Sequence, residues 1–231
     1  MSRIILITGS RKGIGRFLTE YFIKNGDYVV GCSRANSDFF HENYTHVNCD
    51  VSDEKSPKIV IKVAEEKYGK VDVLINNAGI ASLNHSVLTP GNTVKKIFET
   101  NFNGSFYFSR EVAKKMIKSG GGKIVNFTTV AVPLNLEGEM IYASSKAAVE
   151  KMTKIMSKEL AINNIQINAI GPTPIETDLI KAVPQNKIQE LLNKQSIKKL
   201  GTYEDVLNVI NFFISPLSNM ITGQIIYLGG L

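Results

Sequence analysis

The stretch Ile4-Ile5-Leu6-Ile7-Thr8-Gly9-Ser10-Arg11-Lys12-Gly13-Ile14-Gly15 decides how the rest of the chain is read. Its aliphatic run is short and unbroken, as expected of a strand covered on both faces. The glycines that follow permit a tight turn whose backbone can approach a phosphate, and a helical pattern begins at Ile14. Strand, glycine-rich turn and helix in that order open a βαβ unit. The spacing is Gly-x-x-x-Gly-x-Gly, not the Gly-x-Gly-x-x-Gly of ordinary dinucleotide folds.

Outward from this turn, strand-length apolar runs alternate with helical patterns. Strands are expected at Arg3 to Ile7, Tyr28 to Ser33, His46 to Asn48, Val71 to Ile75, Lys123 to Thr128, Gln166 to Ile170 and Gln224 to Leu228. Helices are expected at Ile14 to Lys24, Ser56 to Tyr68, Val94 to Lys118, Tyr142 to Ala161 and Glu204 to Ile214. This alternation gives an α/β protein: a Rossmann-type doubly wound parallel sheet of about seven strands with helices on both faces. No linker, composition break or repeat divides the chain, so residues 1–231 read as one domain. The least regular stretch, about 172–201, contains a short helical pattern at Gln185 to Lys194 and reads as a substrate lid.

Composition excludes several classes. Of 231 residues, 43% are hydrophobic and 21% charged, which is enough apolar surface for a core and argues against disorder. The net charge of +6 suits an anionic partner, but the basic residues are spread along helical faces and no aromatic-basic interleaving suggests nucleic acid. Cys32 and Cys49 lack disulfide or metal spacing and read as small buried hydrophobes. No apolar run approaches the ~20 residues of a membrane span. A cytoplasmic protein without a bound metal is the expectation.

Further motifs occur in a fixed order. Asp50-Val51 follows the third strand, Asn76-Asn77-Ala78-Gly79 follows the fourth, Asn101 lies in the long helix, and Tyr142-x-x-x-Lys146 opens the next one. Ile221-Thr222-Gly223-Gln224 enters the last strand. With the glycine turn, this set resembles the short-chain dehydrogenases/reductases over essentially the whole chain. The resemblance implies an oxidoreductase acting on CH–OH groups, with Asn101, Thr129, Tyr142 and Lys146 as catalytic residues and a helix interruption at Asn101. It implies cofactor contacts from Gly9, Ser10, Arg11, Lys12, Gly13, Ile14, Gly15, Asp50, Val51, Asn77, Ala78, Gly79, Tyr142, Lys146, Pro172, Ile175 and Thr177.

Tyr142 and Lys146 stand one helical turn apart and share a face. A free tyrosine has a pKa of about 10, and a nearby ammonium is expected to lower it so that the phenol can exchange a proton with a carbonyl or alcohol. Thr129 stands where the family has a serine; it keeps the hydroxyl and adds a methyl. A second departure is Pro172-Thr173, where the family reads Pro-Gly.

The end of the second strand bears on the choice of dinucleotide. An acid there binds the adenosine ribose of NAD, whereas arginine accommodates the extra phosphate of NADP. This chain has Ser33 followed by Arg34, with Arg11 and Lys12 close by, so NADP(H) is expected.

The resemblance points to reduction of a ketone to a secondary alcohol, and among relatives to the 3-oxoacyl-[acyl-carrier-protein] reductases. An acyl carrier protein is then an implied partner, although Gly120 and Asn163 occupy the positions of the docking arginines. A sugar or polyketide ketone and a non-catalytic dinucleotide-binding regulator are the alternatives. The family also implies a homo-oligomer, dimer or tetramer, assembled through the two long helices.

Overall fold

Seven parallel strands form one sheet in the computed structural model, which describes residues 2–181 and 183–231. The chain runs through β1 (Ile4–Thr8), α1 (Gly13–Lys24), β2 (Tyr28–Ser33), β3 (Tyr44–Asn48), α2 (Ser56–Tyr68) and β4 (Val73–Asn76). It continues through α3 (Gly91–Phe98), α4 (Gly104–Ser119), β5 (Gly122–Phe127), α5 (Ala131–Leu134), α6 (Met140–Leu160) and β6 (Ile165–Gly171). The short helices α7 (Asp178–Lys181) and α8 (Gln185–Asn193) precede α9 (Tyr203–Ile214) and β7 (Ile225–Tyr227).

The β1 sequence explains the layering. Ile5 and Ile7 point to one face and pack with Leu18 and Phe22 of α1 and Phe213 of α9. Leu6 points to the other and packs with Val60 of α2 and with Phe108 and Val112 of α4. All three strand residues are fully buried. Each such side chain contributes about 1.5–3 kcal/mol relative to exposure, which is why an unbroken aliphatic run is stable only between two helical layers.

The strand order is β3-β2-β1-β4-β5-β6-β7. Sequence order reverses beside β1, so the loops after β1 and β4 leave in opposite directions. A crevice opens there at the carboxyl ends of the strands. The register aligns Ile7 with Gly31 on one side and Ile75 on the other, bringing the glycine turn beside the end of β4.

One feature differs from the periodicity, while the short helix expected at Gln185 to Lys194 is present as α8. The helix expected over Val94 to Lys118 is split: Glu99–Asn103 forms a wide π-type turn between α3 and α4. Gly104 passes so near Val51 that a Cβ would lie 2.9 Å from its Cγ2. The irregular stretch contains α7 and α8 and is tethered at its far end. There the N–H groups of Ser196 and Ile197 donate to the carbonyls of Gly230 and Gly229, at 2.9 and 2.8 Å. Among the described residues, no helix is long and apolar enough to cross a membrane.

Candidate active site

A cleft of about 590 Å³ occupies the crevice. Its wall includes Gly9, Arg11, Lys12, Gly13 and Ile14 from the turn, Ser33 and Arg34 from the end of β2, and Asp50 and Val51 after β3. Asn77, Ala78 and Gly79 follow β4, Thr129 follows β5, and Tyr142 and Lys146 project from α6. Pro172, Thr173, Ile175 and Thr177 come from the segment after β6.

The turn is built around one acceptor: the N–H groups of Gly9 and Ser10 both donate to the Cys32 carbonyl, at 2.8 and 3.2 Å. Gly9 and Gly13 hold φ of +71° and +57°, where a side chain would be strained. Lys12 precedes α1 without a side-chain cap, so the first-turn N–H groups of that helix remain for an outside acceptor such as an anion.

Two residues expected at the cofactor are not on the wall. Ser10 is fully buried, and its Oγ lies 3.0 Å from Tyr44 Oη, beneath the turn. Gly15 serves packing, because a Cβ there would sit 2.3 Å from the Gly9 carbonyl oxygen. Ser33 does line the cleft, yet its hydroxyl donates to the Ala35 carbonyl at 2.7 Å.

Charge is concentrated at this end. Arg11 and Arg34 are exposed beside the cleft. Burial works against the Asp50 carboxylate, but hydrogen bonds from the Ser52 N–H and hydroxyl, and then the Arg34 charge, hold its pKa below the usual range. Lys12 Nζ reaches Asp178 Oδ2 at 3.0 Å, joining the turn to α7 across the mouth.

After β4, Asn77 Nδ2 donates to the Thr8 carbonyl at 2.9 Å and the Ala78 N–H donates to Thr8 Oγ1 at 3.0 Å. These bonds fix the two strand ends that flank the crevice. A Cβ on Gly79 would lie 3.4 Å from both Lys146 Nζ and Asn101 Oδ1, so the glycine keeps this corner open.

Lys146 is only 3% exposed and donates to the Phe127 carbonyl at 2.9 Å; burial lowers its pKa to about 8. Tyr142 shares a side-chain hydrogen bond with Thr129, but burial pushes its pKa up to about 12, with the Glu139 charge adding to the rise. The lowering expected from the lysine is therefore absent in the chain itself. Burial dominates, and the Lys146 ammonium is directed to a main-chain carbonyl. At neutral pH the tyrosine is a proton donor.

Asn101 is fully buried and does not line the cleft. Its amide accepts from the Ile80 N–H at 2.9 Å and donates to the Ile80 carbonyl at 2.9 Å and to Ser145 Oγ at 3.0 Å. The π-type turn thus clamps the segment after Gly79 to the helix that carries Tyr142. Thr173, at the departure from Pro-Gly, is buried and accepts from Gln195 Nε2 at 2.8 Å.

Sequence reasoning missed Glu139 and the apolar wall of Ile180, Val183 and Leu191. Glu139 was legible only as the residue one turn before Tyr142, while the apolar wall depends on how α7 and α8 fold back.

A match to the short chain dehydrogenase family covers residues 3–188. The 3-oxoacyl-[acyl-carrier-protein] reductase of Thermotoga maritima is 33% identical over 99% of this chain and 96% of its own length. The NAD-dependent glycerol dehydrogenase of Listeria innocua is 30% identical over 99% of this chain and 92% of its own length. Among solved structures, ElxO with NADP bound superposes with a TM-score of 0.90 at 31% identity, covering 99% of this chain and 97% of that one.

Proposed function

The chain belongs to the short chain dehydrogenase family, and on that premise we propose that it is an NADPH-dependent reductase converting a ketone to a secondary alcohol. The observation that carries this reading is a single one: Tyr142, protonated at neutral pH and hydrogen-bonded to Thr129, shares a cleft with the glycine turn. A nicotinamide dinucleotide fits the residues present. The glycine cradle and uncapped α1 suit its diphosphate, and Arg11, Lys12 and Arg34 suit a further phosphate at the β2 end. Solved relatives bear on the same point, since ElxO holds NADP and the Brucella melitensis 3-ketoacyl reductase is complexed with NADH.

When bound, the cofactor supplies hydride to the carbonyl carbon. Tyr142 gives its proton to the carbonyl oxygen as negative charge develops there. Thr129 accepts from the Ala131 N–H at 3.2 Å, which leaves its own proton to share with the tyrosine or the substrate oxygen. Lys146 places positive charge in the same corner, and Asn101 positions the backbone around it. We read residues 1–231 as one cytoplasmic unit with 172–201 as the lid. Ile117 on α4 and Ile155 on α6 are exposed apolar residues that favour a homo-oligomer.

A 3-oxoacyl thioester is the substrate suggested by relatives' names, and an acyl carrier protein would then be the partner. Steady-state kinetics test the cofactor reading: kcat/KM with NADPH should exceed that with NADH by on the order of 100-fold, the effect of two charge-assisted hydrogen bonds. Equal values would refute it. Tyr142→Phe should cut kcat about 100- to 10,000-fold while NADPH binding persists. Retained turnover would remove Tyr142 from the chemistry, and retained biological output without turnover would favour a regulator.

A further inference from the structure

Glu139 stands directly before α6, three residues ahead of Tyr142, a spacing that brings the two side chains to the same side of the helix start. It lines the main cleft and also a second cavity of about 150 Å³, which shares Pro174, Ile180, Val183 and Leu191 with the first. Glu139 is thus a charged group at the junction of the cleft and a smaller cavity that also carries Glu137, Lys187, Glu190 and Lys194. Its carboxylate has no hydrogen-bond or ion-pair partner among the described residues, and it does not cap α6. Burial pushes its carboxyl above the usual range.

A half-buried carboxylate with no protein donor can accept an O–H or N–H from a ligand without giving up a protein hydrogen bond. Its neighbours decide which donor fits. A cationic group would have to settle on the same wall as the buried Lys146 ammonium, while the lysines of the smaller cavity, Lys187 and Lys194, are offset by Glu137 and Glu190. A neutral hydroxyl meets no repulsion from Lys146.

We propose that the ketone reduced beside Tyr142 carries a hydroxyl on the first or second carbon from the carbonyl, and that Glu139 accepts its hydrogen bond. This rests on the reductase reading above and sets hydroxylated ketones ahead of plain acyl thioesters. Glu139 is then the specificity-determining residue: a site built to accept a hydroxyl rejects the analogue that lacks one.

The test compares short ketones with and without that hydroxyl, using NADPH and the full chain. Wild type should favour the hydroxylated member on the order of 10- to 100-fold in kcat/KM, the effect of a hydrogen bond to a charged group. Glu139→Leu should bring the ratio close to one, and Glu139→Gln, which still offers an amide oxygen, should keep part of it. A wild-type ratio near one, or a preference that survives Glu139→Leu, overturns the proposal. The wild-type ratio stands even if the leucine variant does not fold. Calorimetric titration of matched diols and mono-alcohols with NADP⁺ present needs no turnover. A diol preference lost in Glu139→Leu supports the Glu139 site even where no ketone is reduced, an outcome that defeats only the reductase reading. No diol preference in wild type defeats the Glu139 site and leaves that reading intact.

Discussion

Lys146 is held in the protein at a cost. Its folded pKa of about 8 lies below its ordinary 10.5, so the unfolded chain binds the proton more tightly between those values. Stability from this group therefore rises as pH increases from about 8 to about 10.5, and below pH 8 the buried charge is a full penalty. Lys146→Met should abolish reduction yet melt at or above the wild-type temperature at pH 7, with the gap narrowing by pH 10.5. Thermal denaturation at the two pH values checks this, and a variant that melts well below wild type at pH 7 contradicts it. Gly31 gives a second prediction at this scale. A Cβ there would meet Ser10 Oγ at 2.3 Å and Tyr44 Oη at 2.6 Å, so Gly31→Ala should destabilise by about 1–3 kcal/mol. At about 2–4 °C per kcal/mol for a chain of this size, the fall in Tm is measurable. A glycine inside a strand hints at such a close approach, although sequence alone does not say which backbone or side chain is near.

Among the elements, strand identity was the most legible part. The β1 run and the β2 strand read correctly because burial on both faces confines their polar residues, Thr8 and Ser33, to the strand ends. The helix over Val94 to Lys118 read as continuous because its apolar spacing persists across the π-type turn. Only Asn101, an amide in an apolar face, marked the interruption, and its meaning came from resemblance. At the turn that amide makes three hydrogen bonds to Ile80 and Ser145, which are distant in sequence. Asn101→Ala should lower Tm by several degrees and reduce kcat more than it changes the KM for NADPH, since it loosens the Tyr142 corner and not the glycine turn. Equal effects on both constants would deny the clamp its local role. The 172–201 segment was legible as irregular chain, but its inward residues depend on the packing of Ile180, Val183 and Leu191 against Val130, which no local pattern encodes.

For the whole molecule, the net charge of +6 is spread widely, but Arg11 and Arg34 are exposed at one end of the cleft. Exposed cations attract an anionic cofactor over about one Debye length, roughly 8 Å at physiological salt. Raising salt from low to physiological strength should therefore reduce kcat/KM for NADPH more steeply than for NADH. Parallel slopes would mean that these arginines do not meet the extra phosphate.

The parallel sheet also collects the candidate functional groups at the carboxyl ends of its strands. The tether of Ser196 and Ile197 to Gly229 and Gly230 ties the C-terminal residues to the end of the 172–201 segment. An affinity tag or fluorescent fusion joined after Leu231 would pull on that anchor, whereas one joined ahead of Ser2 begins at the amino end of β1, the opposite end of the strands from the cleft.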